Sequence, residues 1–139
     1  MIYQNSMIYQ NLMTSQSDKP AKAALATLII LQTVMLAALF AQSVPHPPAT
    51  ILIFAIAPYL AMSLATAACA LILGPLTNRT GQSFTVGATL LSLISFGPHK
   101  WFDPQLPLIW PAVIMGQLAA ITLFVLVYRA KQSSLLVEE

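Results

Sequence analysis

"AALATLIILQTVMLAALFAQSVPHPPATILIFAIAPYLAMSLATAACALILGPLTN", residues 23–78, contains no Asp, Glu, Lys or Arg. A helix needs about 20 apolar residues to cross a hydrocarbon layer of about 30 Å. The stretch is too long for one crossing and has room for two. Pro45, Pro47 and Pro48 fall near its middle. Proline lacks a backbone donor and restricts the residue before it, so "VPHPP" reads as the turn between two helices.

The same pattern continues along the chain. Residues 80–99 and 104–128 are again free of Asp, Glu, Lys and Arg. Charged residues make up 7% of the sequence and hydrophobic ones 58%, whereas soluble domains carry about a quarter charged residues. The expected fold is all-α, an integral membrane bundle of four transmembrane helices: Lys22–Ser43, Ala49–Gly74, Gln82–Gly97 and Pro107–Tyr128. The third span is short and contains Gly87, so a tilted or re-entrant helix is its alternative. Residues 1–21 read as a polar, disordered tail, 22–129 as the transmembrane domain and 130–139 as a second polar tail. "MIYQN" occurs at Met1 and again at Met7, and Met13 is a third candidate start. The first apolar run is too long, and too directly followed by more apolar sequence, for a cleaved secretory signal.

Four spans put Lys19, Lys22, Arg79, Arg129 and Lys131 on one side and Lys100 on the other. Basic residues in short loops favour the cytoplasmic face. The expected location is the cytoplasmic membrane of a bacterium or an equivalent bilayer, multi-pass, with both termini inside. "SFGPHKWFDPQLPLIWPAV", Ser95–Val113, then lies outside. Trp101 and Trp110 fit the headgroup boundary, where an aromatic ring keeps one edge wet. Pro104 and Pro107 are expected to hold the approach extended, with Pro111 in the first turn of the last helix. Asn78-Arg79-Thr80 reads as part of an ordinary turn.

The candidates for chemistry are few. His46, His99 and Asp103 share the outer side and are weak metal candidates, since no motif sets their spacing. The expectation is no metal and no cofactor. No nucleophile–base pair or pair of facing carboxylates can be placed, so catalysis is not expected. The net charge of +2 gives no footprint for nucleic acid. Cys69 reads as a packing residue. Ion-coupled transport usually leaves an ionisable group within the membrane, and inside the boundary residue Lys22 the four spans contain no Asp, Glu, Lys, Arg or His. Gln32 and Gln117, with Ser63, Thr66, Thr85, Thr89, Ser92, Ser95 and Thr122, either line a polar path or hydrogen-bond between helices. Small residues recur at one-turn spacing: Ala57, Ala61 and Ala65 in the second span, and Ala112, Gly116 and Ala120 in the fourth. Such rows let helices approach closely, and Leu123 is expected to face lipid.

These features point to an accessory or interaction subunit, homo-oligomeric or part of a larger membrane complex, with the lipid bilayer as its other partner. The alternative is a transporter or channel for a small neutral or weakly polar solute. A wet cavity lined by Gln32 and Gln117 would favour transport, and a dry bundle with an exposed small-residue face would favour association.

Overall fold

The computed structural model describes residues 2–43 and 53–135, with side chains for 18–43 and 55–134. Four α-helices follow in order: α1 Ile2–Ala41, α2 Ile53–Leu73, α3 Arg79–Phe96 and α4 Leu106–Leu135, with a 3-10 helix, Pro98–Phe102, between the last two. The protein is all-helical. Three helical segments, Asp18–Ala41, Ala55–Leu73 and Leu106–Ser134, are long and apolar enough to cross a membrane by length and composition. α3 is not among them. The turn expected at "VPHPP" lies outside the described residues. α1 extends from Ile2 through the segment read as a polar tail, and α4 continues past Tyr128 to Leu135. Because α4 begins at Leu106, Pro107 takes the first-turn position where a missing N–H costs least, and Pro111 sits inside the helix. Pro107 thus opens the helix, in keeping with the expected span Pro107–Tyr128 and not with an extended approach, whereas Pro111 lies beyond the first turn expected for it.

Sequential helices pack against one another, α4 closes back on α1, and α1 touches α3 little. The core at one end gathers Ala21, Leu25, Leu28, Ala67, Ala70, Ala88, Ala119 and Leu123. Alanine supplies most of it, so the helices approach closely and little apolar bulk is buried. Leu123, expected on the outside, is fully buried. α3 and α4 approach closely at Gly116: a Cβ added there would stand 2.7 Å from Phe96 Cβ.

α3 explains its own low hydropathy. Thr85, Thr89, Ser92 and Ser95 are all buried on its inner face. Thr85 Oγ1 donates to the Gly81 carbonyl at 2.8 Å and Thr89 Oγ1 to the Thr85 carbonyl at 2.7 Å. Ser92 Oγ donates to the Thr89 carbonyl at 2.7 Å. The hydroxyl protons of Thr85, Thr89 and Ser92 are thus satisfied within the helix, as a buried polar group requires. The outward residues from Phe84 to Ile94 are apolar, with Leu90 and Ile94 more than half exposed.

The α2–α3 turn is tightly specified. Gly74 ends α2 with φ +81°, a backbone region that glycine enters without a Cβ penalty. A Cβ at Gly81 would collide with the Gly74 carbonyl oxygen. Asn78 caps α3: its Oδ1 accepts from the Gly81 N–H at 2.7 Å, and its Nδ2 donates to the Leu73 carbonyl at 3.2 Å. The "ordinary turn" is therefore a capped corner, and Asp18 of α1 clasps it. Buried Asp18 accepts from the Leu76 N–H at 3.2 Å and from Thr77 Oγ1 at 3.4 Å. Lys22 Nζ lies 3.5 Å from the same carboxylate.

Two expectations follow. Leu123→Ala should cost about 2–5 kcal/mol, the usual range for emptying a buried leucine site, while Leu118→Ala on the exposed face should change little; equal losses in thermal unfolding in detergent would contradict this packing. Asp18→Ala should cost about 1–3 kcal/mol by leaving the Leu76 N–H without its acceptor.

Candidate functional site

The polar residues that the sequence offered as one path fall into separate places. In the middle of the bundle, Gln32 Nε2 donates to Ser63 Oγ at 2.7 Å, tying α1 to α2. Both residues are fully buried, and Gln32 Oε1 has no hydrogen-bond partner among the described residues. At the end that carries the 3-10 helix, Gln117 Nε2 donates to the Phe96 carbonyl at 3.1 Å, and Trp101 Nε1 donates to Gln117 Oε1 at 3.3 Å. Thr66 and Thr122 bond back to their own helices, to the Met62 and Leu118 carbonyls. They join no path.

Near Gln117's end, all four helices diverge around a cavity of about 510 Å³, within the range of small-molecule sites. Leu31 and Met35 of α1, Ile56 of α2, and Ile109 and Val113 of α4 give it apolar walls. Its polar lining comes from Tyr59, Ser95, Lys100 and Gln105. Neither Gln32 nor Gln117 lines it. Tyr59 Oη donates to the Leu91 carbonyl, linking α2 to α3, and stands 3.4 Å from Ser95 Oγ. Ser95 is buried, and its side-chain hydrogen-bond partner among the described residues is Tyr59. Val34, Ile94 and Leu108, exposed at 62%, 59% and 59%, carry the lining out to the molecular surface. The opening is apolar.

Lys100 and Asp103 form a 2.8 Å ion pair across the last turn of the 3-10 helix. Asp103 Oδ1 also accepts from the Gln105 N–H at 3.0 Å. These bonds, Lys100 first, hold the Asp103 carboxyl below its ordinary value of 3.8. His99 is exposed beside this pair, His46 lies outside the described residues, and no cluster of three or more metal-ligating side chains occurs among the described residues. Trp101 and Trp110 are exposed at 43% and 52%, Trp101 with its N–H bonded and its ring free. Of the small-residue rows, Gly116 and Ala120 turn inward with Ala112 half-buried, whereas Ala61 and Ala65 lie on the outer surface and Ala57 is half-buried. Cys69 is free and half-buried.

Three participants were missed in the sequence. Asp18 sits two residues before Pro20, in a segment read as tail, and both fall inside α1, so no helix start marked it. Tyr59 is embedded in an apolar run with nothing to mark its hydroxyl. The cavity arises from residues far apart in the chain. No family model, curated protein or solved structure matches this chain.

Two outcomes test the site's energetics. Ser63→Ala should destabilise by about 1–3 kcal/mol because the buried Gln32 Nε2 loses its acceptor, while Gln32→Leu with Ser63→Ala should be neutral or stabilising; thermal midpoints of the two variants check this. Because folding depresses the Asp103 pKa, the ion pair contributes stability above the ordinary carboxylate range and loses it as pH falls below that range. The midpoint difference between wild type and Asp103→Asn should therefore be flat from about pH 5 to 8 and vanish near pH 2.

Proposed function

We propose that this protein is a four-helix integral membrane subunit that works by lateral association, with itself or with a larger membrane complex, rather than by catalysis. The observation that carries the reading is the inverted distribution of polarity. Ile30, Val34, Phe40, Ile72, Leu90, Ile94, Leu118 and Ile121 are exposed, while Gln32, Ser63, Thr85, Thr89 and Ser92 are buried. Water would penalise both halves of that arrangement, and a hydrocarbon environment favours both. It also supports α3 as the fourth crossing, since its average hydropathy is lowered by hydroxyls that never meet lipid. The Asp18 clasp brings the start of the apolar part of α1 to the α2–α3 turn, grouping Lys19, Lys22 and Arg79 at one end. Basic residues at that end support a bacterial cytoplasmic membrane, or its equivalent, with both termini inside.

Association is supported by the outer face of α2, where Ala61 and Ala65 permit another helix to approach to backbone distance. Transport of a neutral solute has less support, because Gln32 and Gln117 are separated and neither lines the cavity.

In a Cys69→Ser background, Gln132→Cys and Phe102→Cys should label with an impermeant thiol reagent from opposite sides of the membrane; labelling from the same side would contradict the four-span reading. Ala61→Leu/Ala65→Leu should reduce oligomer size or partner recovery from mild detergent without lowering the thermal midpoint. An unchanged assembly would count against association through α2.

A further inference from the structure

We propose that the cavity at the 3-10 helix end binds a fatty-acyl ester, its chain between the apolar walls of α1 and α4 and its uncharged carbonyl oxygen accepting from Ser95 Oγ and Lys100 Nζ. The volume of about 510 Å³ and the walls of Leu31, Met35, Ile109 and Val113 suit a single flexible apolar chain. The exposed, apolar Val34, Ile94 and Leu108 give such a chain a way in that requires no passage through polar surface.

The headgroup follows from hydrogen-bond chemistry. The Tyr59 proton is committed to the Leu91 carbonyl, so Tyr59 can only accept from Ser95, and does so at a long 3.4 Å. Ser95 is 6% exposed, which leaves a buried hydroxyl with a weakly held proton on the cavity wall. Lys100 lines the same cavity and uses one ammonium proton on Asp103, leaving further N–H donors. The site therefore offers donors and asks for an acceptor oxygen. It does not ask for an anion: Asp103, 2.8 Å from the ammonium, offsets the charge of Lys100, and its carboxyl stays ionised through neutral pH. An anionic head would meet that carboxylate. A carbonyl meets two dipolar donors at the end of an apolar slot.

The proposal rests on the membrane reading, and the test separates the two. Full-length protein is incorporated into nanodiscs of ether-linked phosphatidylcholine, a matrix without carbonyls. A long-chain fatty-acid methyl ester with a mid-chain diazirine is the photoprobe, and crosslinks are located by mass spectrometry. Failure to incorporate would strike the membrane reading. Given incorporation, saturable crosslinking at Met35 and Val113 is expected, displaced by unlabelled methyl ester at least tenfold better than by the ionised free acid or the matching alkyl ether. Ala112→Phe, which fills the slot, should abolish the saturable component. Ser95→Ala, which keeps the volume, should weaken binding roughly three- to tenfold, the worth of one hydrogen bond. Displacement by diester phosphatidylcholine would support the same acyl-ester chemistry with bilayer phospholipid as its source; lack of displacement would support a free neutral ester. Crosslinks that spread over Leu118 and Ile121 without saturating would overturn the proposal, as would a free acid or ether that competes as well as the ester.

Discussion

Buried hydroxyls that bond to their own helix are what the architecture of this chain depends on. Thr85, Thr89 and Ser92 each donate to a carbonyl of α3. With those protons satisfied, a helix rich in Thr and Ser can turn its polar face into a bundle and its apolar face outward. Unsatisfied, each would cost about 1–3 kcal/mol. The small volumes of these side chains matter equally, because they let α3 sit close to α2 and α4 where a core of leucines would hold them apart. Gly116 against Phe96 is the same device on the facing helix. Close backbone approach with polar groups internally paired is the packing regime expected where lipid removes the hydrophobic incentive between helices.

The two ends of the bundle are finished differently. At the end with Asp18, the chain is tied: a carboxylate from α1 accepts from the corner between α2 and α3, and Asn78, Gly74 and Gly81 fix that corner's shape. At the other end a cavity opens among the four helices, lined mostly by apolar side chains, with Tyr59, Ser95, Lys100 and Gln105 among its lining residues. The contrast assigns rigidity to the first end and ligand capacity to the second. Gln32 and Ser63 stand between them as a polar cross-link with one acceptor left over.

Charge-free intervals located the four helical segments that build the bundle but not the first part of α1, which carries Asp18, Lys19 and Lys22. The edges of α2 and α4 that were legible came from Gly74 and Pro107, residues whose backbone chemistry marks a helix end. The start of α4 at Leu106 moved Pro111 inside the helix, since proline at two nearby positions cannot say which one begins it. Leu123 shows a second limit: an outward leucine and an inward one look alike in an all-apolar helix, where no polar face sets the phase. α3 shows a third, because averaging along its length mixes a hydroxyl face with an apolar face that point in opposite directions. Of the site, the Ser95–Val113 stretch was marked by its density of polar and aromatic residues. Tyr59 and the cavity were not marked, since a site assembled from four helices leaves no local spacing to read.

The orientation of α3 is the element on which the membrane reading turns. Single spin labels at Leu90, Ile94, Thr89 and Ser92, one at a time in a Cys69→Ser background in liposomes, would measure it through collision with oxygen and with a water-soluble nickel complex. The account predicts high oxygen and low nickel accessibility at Leu90 and Ile94, and low accessibility to both reagents at Thr89 and Ser92. High nickel accessibility at Leu90 and Ile94 would place that face in water and contradict the inside-out helix.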